Sequence, residues 1–430
     1  MFSINKIFFP TVFIFLLQFA SYLKAEQLTI DVIGSSNNQI PIAISQFQNE
    51  ENFKTVASKV ILNDLKSTGL FAINNIENLN YPFDSTEIDF QTLADNGVMH
   101  ILVGKMELLE NKKIKLRFRL YDVPRQKQTL GLSYTISERS IRLASHRISD
   151  KIYEEITGDI GIFSTKISYV LNKGNIFELI VADYDGYNPI VVHRYNEPII
   201  SPKWSPDGKS IAYVSFEKKK ALLYIYEIYT GKRFLLAAYE GSNSAPAWHP
   251  NGNELAMALT KDGNSEIYTI NKDGSNLRRL TNSQYIETEP YYSSNGKELI
   301  FVSDRSGGPQ IYNMNLKTKK IKRLTFAGGY NVTPRLLKND KSFVFVHQIN
   351  GNFNVAIQDI STGTVQLLTD GKSDQSPALA PNDRIILYAS QKKDKHILAA
   401  VSVDGRVRQE ITIQNGDIRE PSWGPIRRFK

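Results

Sequence analysis

Six prolines in the chain are each preceded by a short polar run, where the sequence offers groups able to bind a partner or an ion. The prolines are Pro202, Pro246, Pro290, Pro334, Pro377 and Pro421. The runs before them are Asn196–Glu197, Asn243–Ala245, Thr288–Glu289, Asn331–Thr333, Asp374–Ser376 and Arg419–Glu420. Such groups can hydrogen-bond an inserted peptide or hold a cation, whereas core packing does not need them. The alternative is that they only cap strand ends through turn chemistry.

Four carboxylates of these runs, those of Glu197, Glu289, Asp374 and Glu420, raise one enzymatic alternative. If they cluster, they could hold a divalent ion, as in a metal-dependent, lactonase-like propeller hydrolase. Other sources of chemistry are missing from the sequence. It contains no Gly-x-Ser-x-Gly, His-Glu-x-x-His, Walker or Gly-x-Gly-x-x-Gly motif, and its six histidines are scattered. The absence of cysteine excludes disulfides, Cys-ligated zinc and thiol nucleophiles.

A 44-residue repeat must position the polar runs. PKWSPDGKSIAYVS from Pro202, PAWHPNGNELAMAL from Pro246 and PYYSSNGKELIFVS from Pro290 align without gaps, and further copies begin at Pro334 and Pro377. The Asp-Gly or Asn-Gly pair in each of the first three copies supplies the positive φ that tight hairpin turns require. Alternating strands follow each turn, and four strands per repeat of this length indicate a blade of a β-propeller.

The two ends of the repeat region indicate six blades and a closed ring. A sixth Pro-x-Trp copy stands alone at Pro421–Trp423, whereas residues 163–197 supply three strands without a first one. We predict that Pro421–Trp423 completes that blade, because closure removes exposed sheet edges. The first strand of a blade is innermost, so the polar runs are predicted to form loops around one mouth of the central channel. The tryptophans that recur at one repeat position, Trp204, Trp248 and Trp423, are assigned to packing.

The region before the propeller is predicted to be a small α/β domain. Glu26–Phe47 suggests two strands around a polar turn, and Gly97–Leu109 and Lys113–Asp122 suggest two more. Apolar spacing favours helices at Val56–Leu70 and Ile141–Ile156. The predicted fold is therefore an α/β N-terminal domain over residues 26–157, followed by an all-β, six-bladed, WD40-like propeller over residues 162–430.

The N-terminus predicts secretion. A short start with Lys6, the apolar run Ile7–Ala20 and the small residue Ala25 are typical of a signal peptide over residues 1–25, cleaved between Ala25 and Glu26. The apolar run is shorter than the ~20 residues that span a bilayer. With 52 Lys and Arg against 44 Asp and Glu in the whole chain, the basic excess is too modest to indicate nucleic-acid binding.

Several stretches together resemble the TolB family of periplasmic Tol–Pal envelope proteins. These are IRLASHRISDKIYEEITGDIGIFSTKISYV from Ile141, EPIISPKWSPDGKSIAYVS from Glu197, FVSDRSGGPQIY from Phe301 and the tail Glu420–Pro425. The likeness covers essentially all of the chain after residue 25. It implies a non-enzymatic adaptor without cofactor or metal. Its implied partners are the lipoprotein Pal at the propeller mouth and the inner-membrane protein TolA at the N-terminal region, in support of outer-membrane integrity and constriction during division.

The resemblance also implies which residues contact Pal. Carried onto matching positions, these are Ser242, Asn243 and Ala245, then Thr288 and Glu289, then Asp374 and Gln375. Glu197, Asn331, Thr333 and Glu420 complete the mouth. The chain departs from the family at Ser242, where His is commoner, and around Tyr330–Thr333. Glu26–Asn38 is expected to be a mobile N-terminal strand whose docking reports the Pal-bound state. A propeller peptidase is disfavoured, because only Gly424–Lys430 follows the last tryptophan, too little for a hydrolase domain.

Overall fold

A computed structural model describes residues 30–33, 39–74, 81, 83, 88–411 and 416–426, with side chains described from residue 39 onward. The predicted signal peptide and its cleavage at Ala25 and Glu26 lie outside the described residues. None of the helices in this part of the chain combines the length and apolar character needed to cross a bilayer.

The first region contains six strands and three helices, numbered here in chain order. They are β1 (Ile30–Ile33), β2 (Ile40–Ile44), α1 (Ala57–Ser67), β3 (Phe71–Ile73), α2 (Phe90–Asp95), β4 (His100–Leu108), β5 (Ile114–Asp122), β6 (Lys127–Ile136) and α3 (Ile141–Thr157). A five-stranded sheet of order β3-β2-β4-β5-β6 carries α1 and α3 against it. Helix α3 buries residues four apart, Ala144, Ile148 and Ile152, because these share one helix face.

Both predicted helices form, and so do the predicted strands β4 and β5. Strand β1 departs from the prediction, which placed it in the N-terminal domain beside β2. It instead pairs antiparallel with an outer propeller strand, Ile30 opposite Ile411 and Ile33 opposite Arg408. A four-residue strand carries no signal for the sheet that it joins, since edge pairing is made by backbone groups.

Six four-stranded blades follow, each antiparallel and ordered from the channel outward. Blade 1 contains β30 (Asp417–Trp423), β7 (Lys166–Asn172), β8 (Phe177–Asp183) and β9 (Ile190–Tyr195). Blade 2 contains β10 (Ile199–Trp204), β11 (Ser210–Ser215), β12 (Leu222–Glu227) and β13 (Arg233–Ala237). Blade 3 contains β14 (Asn243–Trp248), β15 (Glu254–Leu259), β16 (Glu266–Asn271) and β17 (Arg278–Arg279).

Blades 4 to 6 repeat this plan. Blade 4 contains β18 (Glu287–Tyr292), β19 (Glu298–Ser303), β20 (Gln310–Asn315) and β21 (Ile321–Arg323). Blade 5 contains β22 (Asn331–Leu336), β23 (Ser342–Ile349), β24 (Asn352–Asp359) and β25 (Val365–Leu367). Blade 6 contains β26 (Asp374–Leu379), β27 (Ile385–Lys392), β28 (Lys395–Ser402) and β29 (Arg408–Ile411), with β1 as an added fifth strand.

The predicted six-bladed ring closed by the C-terminal strand is confirmed. Strand β30 pairs with β7, with Trp423 opposite Ile167 and Ile418 opposite Leu171. The predicted hairpin turns also form, with Gly208 at φ 66° and Gly252 at φ 73°. The innermost strands therefore come from both ends of the repeat region, and they carry five of the six polar runs around one channel.

Candidate functional site

Five of the six polar runs do not form the predicted loops but lie inside the innermost strands, whereas Asn196–Glu197 forms a bend before β10. In every blade the pairing of the innermost strand with the next one shifts around the repeat proline, as between Thr288 and Tyr291 in blade 4. Such a shift is a β-bulge, which bends a strand and redirects its side chains. The bulge places the residue before each repeat proline at an equivalent position along the channel in all six blades.

The residue before each proline has a left-handed backbone, with φ between 49° and 53° in all six blades. We call these six residues the mouth ring: Ser201, Ala245, Glu289, Thr333, Ser376 and Glu420. Left-handed conformations are uncommon for residues other than glycine and are found where the surrounding structure imposes them. All six residues are partly exposed, although the hydroxyl of Thr333 is buried.

Two carboxylates of the mouth ring come from blades on opposite sides of the propeller, Glu289 from blade 4 and Glu420 from blade 1. The carboxylate of Glu289 accepts a hydrogen bond from the backbone N–H of Thr333 at 2.6 Å. Burial raises the pKa of Glu289, and the negative charge of Glu420 acts in the same direction. The mouth is therefore a polar ring with two acidic groups set across the channel.

Two residues of the predicted site, Asn243 and Asp374, are buried, and their polar side chains form hydrogen bonds within the chain. The side-chain amide of Asn243 donates to Ala221 and accepts from the backbone of Tyr239. Asp374 accepts from the backbone N–H of Gly371 and from the hydroxyl of Ser390. These positions hold the strand start in place and do not face the channel.

Asn331 is likewise buried and hydrogen-bonded within the chain. Its amide donates to Gln310 at 2.9 Å, and its oxygen lies 2.7 Å from Nδ1 of His347. The remaining predicted residues Ser242, Thr288 and Gln375 are accessible in part or in full, and Glu197 forms an ion pair with Lys219 at the rim.

The four carboxylates proposed for a metal-dependent hydrolase do not assemble. Glu197 is held by Lys219, Asp374 is buried in its own strand start, and only Glu289 and Glu420 belong to the ring. Among the described residues, one group of three metal-ligating side chains comes close enough to hold a cation, and none of these four belongs to it. The geometry corrects the expectation that these four carboxylates could form a cluster.

Exposed apolar side chains also lie on the mouth face, and the sequence pattern did not predict them. The turn before an innermost strand and the hairpin between the second and third strands lie at the same end of a blade, because the strands are antiparallel. Exposed apolar residues at that end are Ile176, Tyr195, Tyr285, Ile286, Phe326 and Ile349. Phe326 is 73% exposed. A signal was present, since apolar residues in otherwise polar turns often mark an interface.

A second polar cluster lies at the seam between the N-terminal domain and the propeller. Asp64 of α1 accepts hydrogen bonds from Nδ1 of His146 at 2.8 Å and from the hydroxyls of Ser149 at 2.6 Å and Tyr184 at 2.8 Å. His146 and Ser149 lie on α3, whereas Tyr184 follows β8 of blade 1. All four are buried, so the cluster ties two helices to the propeller.

The seam cluster is not suited to a metal ion. One ligand atom each from Asp64, His146 and Asp185 lies within 4.8 Å of the others. However, Asp64 already accepts three hydrogen bonds, and Asp185 is ion-paired with the guanidinium of Arg142, whose charge opposes a cation. We assign these groups to holding the domains together.

The seam shifts the pKa values of two residues one turn apart on α3. Burial lowers the pKa of His146, but the charge and hydrogen bond of Asp64 and the charge of Asp185 outweigh burial, so the net pKa is raised. Burial raises the pKa of Asp150 to about 6, although it accepts the backbone N–H of Phe163 at 2.6 Å. Both residues lie on α3, the last helix before the chain enters the propeller.

Family models match most of the chain. One, described as the TolB β-propeller domain, matches residues 153–427. The other, described as the TolB amino-terminal domain, matches residues 28–129. The first alone spans more than half of the chain.

Individual proteins are similar over nearly their whole length. The Tol-Pal system protein TolB of Methylobacillus flagellatus is 51% identical over 429 residues, which is 98% of this chain and 99% of that protein. The protein of the same name from Nitrosomonas europaea is 50% identical over 415 residues, or 96% and 97% of the two chains. The crystal structure of TolB from Acinetobacter baumannii aligns with a TM-score of 0.86 at 34% identity, covering 93% of this chain and 100% of that one.

Proposed function

The chain belongs to the TolB family, and from that premise we propose that it is a non-enzymatic periplasmic adaptor of the Tol–Pal system, binding Pal at the propeller mouth and TolA through its N-terminal region. The observation that carries the proposal is the mouth ring, six left-handed residues held at equivalent positions along the channel by six bulges. A preorganised ring loses little conformational entropy when a partner binds.

The mouth face has the composition of a protein-binding surface. Polar groups of Thr288, Glu289 and Gln375 are accessible at the ring, and exposed apolar side chains such as Phe326 and Tyr285 surround it. Apolar anchors combined with placed polar groups are typical of protein interfaces. Asn243, Asn331 and Asp374 support this surface from beneath, because their polar atoms are engaged within the chain.

Calorimetric titration of the mature protein with Pal from the same organism tests the mouth as its site. We expect Glu289→Lys to weaken binding by about thirtyfold, or ~2 kcal/mol, because the new ammonium replaces a placed acceptor in the ring. Glu138→Lys, the same charge change at an exposed position of the N-terminal domain, serves as the control. Equal affinities of the two variants for Pal would move the site elsewhere.

We further propose that the segment Glu26–Asn38 couples the two partners. Its strand β1 is bound to blade 6 through backbone pairing with β29. Coupling requires each partner to bind one arrangement of the segment better than another. Deleting Glu26–Asn38 is therefore expected to change the affinities for both Pal and TolA, as measured by calorimetry. Unchanged affinities for both would contradict the coupling.

A further inference from the structure

A second ring of residues lies one step beyond the mouth ring, deeper in the channel. It consists of the residue after each repeat proline, and we call it the inner ring: Lys203, Ala247, Tyr291, Arg335, Ala378 and Ser422. All six line one cavity of about 710 Å³. Lys151 and Glu154 of α3 and the following Ile160 also line it, so the cavity lies at the channel end that faces the N-terminal domain.

The inner ring is arranged in facing pairs, since residues three blades apart lie across a six-bladed channel. Lys203 of blade 2 faces Arg335 of blade 5, and Tyr291 of blade 4 faces Ser422 of blade 1. The third pair, Ala247 and Ala378, leaves space between them. The ring thus presents two basic groups and two hydroxyls and contains no carboxylate.

Neither Lys203 nor Arg335 forms an ion pair with a carboxylate in the part of the chain that the structure describes. Among the described residues, the Lys203 ammonium has no hydrogen bond or ion pair. The Arg335 guanidinium donates to the carbonyl of Pro334 at 2.7 Å and lies 5.5 Å from the ring centroid of Tyr291. Burial and the charge of Arg335 lower the pKa of Lys203 to about 7, against the weaker attraction of Glu420 and Glu289.

Of the nearby carboxylates, Glu420 acts on Lys203 through its charge, and four others are engaged elsewhere. Glu289 accepts the N–H of Thr333, and Glu154 is paired with Lys151 at 2.7 Å. Asp340 accepts the N–H and the hydroxyl of Ser294. Asp383 accepts the N–H of Lys338 at 2.6 Å. Their charges lessen the positive potential of the cavity, but none of them enters the inner ring.

The walls of the cavity are aromatic and apolar. They include Trp204, Trp248, Tyr292, Leu336 and Trp423. A volume of about 710 Å³ falls in the range of small-molecule sites, ~300–1,000 Å³. We propose that this cavity binds a small organic anion with an apolar body, its anionic group placed between Lys203 and Arg335.

Binding of such an anion is linked to proton uptake. Because its pKa is lowered to about 7, Lys203 is only partly protonated near neutral pH in the free protein. An anion beside it favours the charged form, so binding near neutral pH is accompanied by net proton uptake. This linkage distinguishes binding in the inner ring from adsorption to an apolar surface.

The test is calorimetry of the full chain with naphthalene-1-sulfonate, whose charge is independent of pH, and with the uncharged naphthalene-1-sulfonamide. We expect one sulfonate per chain, proton uptake detected by comparing buffers of different ionisation enthalpy, and at least tenfold weaker binding of the sulfonamide. Lys203→Met and Arg335→Gln should each weaken sulfonate binding at least tenfold. Lys317→Met, at an exposed turn, should leave it unchanged.

A third variant tests the geometry without removing a charge. Ala378→Leu fills the open space in the ring and is expected to weaken sulfonate binding at least tenfold, with the thermal unfolding transition confirming the fold of each variant. The proposal is overturned if sulfonate does not bind, if the sulfonamide binds equally well, or if binding is unchanged in the folded Lys203→Met and Arg335→Gln variants.

Discussion

The residue before each repeat proline is the smallest unit on which the mouth depends. Serine, alanine, threonine and glutamate all occupy this position. The left-handed conformation is therefore imposed by the β-bulge and does not depend on a glycine. Their short or unbranched side chains, Thr333 excepted, limit the strain. The ring is therefore an effect of strand pairing, and residue types vary on a fixed backbone.

Ala245→Val tests this strain. A second β-branched side chain at φ 49° should destabilise the protein by about 1–2 kcal/mol, whereas Ala245→Gly should have a smaller effect. Urea unfolding followed by circular dichroism gives both values. Equal stability of the valine variant and the native protein would show that the bulge does not impose this conformation.

The raised pKa of His146 predicts a pH dependence. Folded His146 binds its proton more tightly than the unfolded chain, so its stabilisation is complete below the ordinary histidine pKa of ~6.5 and declines as pH rises through the raised value. The difference in free energy of unfolding between the native protein and His146→Gln should shrink from pH 6 to pH 8.5. The depressed pKa of Lys203 acts in the opposite direction but cancels in this difference. A constant difference would contradict the assignment.

Among the secondary-structure elements, strand β30 stabilises the propeller because it closes the ring. Strand β30 brings Trp423 against Ile167, and the indole N–H donates to the hydroxyl of Thr165 at 2.9 Å. Blade 1 would otherwise expose the inner edge of β7. Stability of the first and last blades is thus shared between distant parts of the chain.

Trp423→Ala is expected to lower the free energy of unfolding by about 3–5 kcal/mol, the cost of removing a large aromatic side chain from a packed site. Leu108→Ala, at a 68% exposed position of β4, is the control and should change stability by less than ~0.5 kcal/mol. Urea unfolding gives both values. A loss for Trp423→Ala as small as that of the control would show that closure contributes little.

The elements that follow the 44-residue period were predictable, and those that depend on edge pairing were not. The hairpin turns at Gly208 and Gly252 were predicted, since a repeated pattern averages over five copies. Strands β3 and β6 and helix α2 were not predicted, because each occurs once. Strand β1 was placed in the wrong sheet, since its partner β29 lies more than 370 residues away.

The position of the site could be predicted from the sequence, but which of its residues are buried and which are accessible could not. The sequence indicates six polar runs around a channel. The structure divides three of them into buried and accessible residues, namely Asn243–Ala245, Asn331–Thr333 and Asp374–Ser376. Asn243 and Glu289 are both polar residues before a proline, yet one is buried in its strand and the other belongs to the mouth ring. The β-bulge that gives the two residues different environments cannot be recognised from the residue types.

The whole molecule is held as one unit by the seam. Besides the Asp64 cluster, the guanidinium of Arg384 pairs with Asp159 at 2.7 Å, and the amide of Asn382 donates to the carbonyl of Ile160 at 2.9 Å. These contacts join the linker that follows α3 to blade 6. A partner that binds one domain can therefore influence the other through the seam.

Asp64→Ala should separate the unfolding of the two domains, because it leaves His146, Ser149 and Tyr184 buried without their acceptor, at a cost of about 3 kcal/mol or more. The three tryptophans, Trp204, Trp248 and Trp423, all lie in the propeller. In the native protein, tryptophan fluorescence and far-UV circular dichroism should report one shared urea transition. In the variant the two should diverge. Coincident transitions in both proteins would contradict a seam that couples the domains.

Photocrosslinking to purified Pal tests the central claim, that the mouth is the docking site, most directly. A benzophenone amino acid replaces Gln375, which is exposed beside the mouth ring, or Lys317, at a turn on the opposite face. We predict efficient crosslinking of Pal from position 375 and none from position 317. Crosslinking from position 317 and not from position 375 would contradict the proposed docking site.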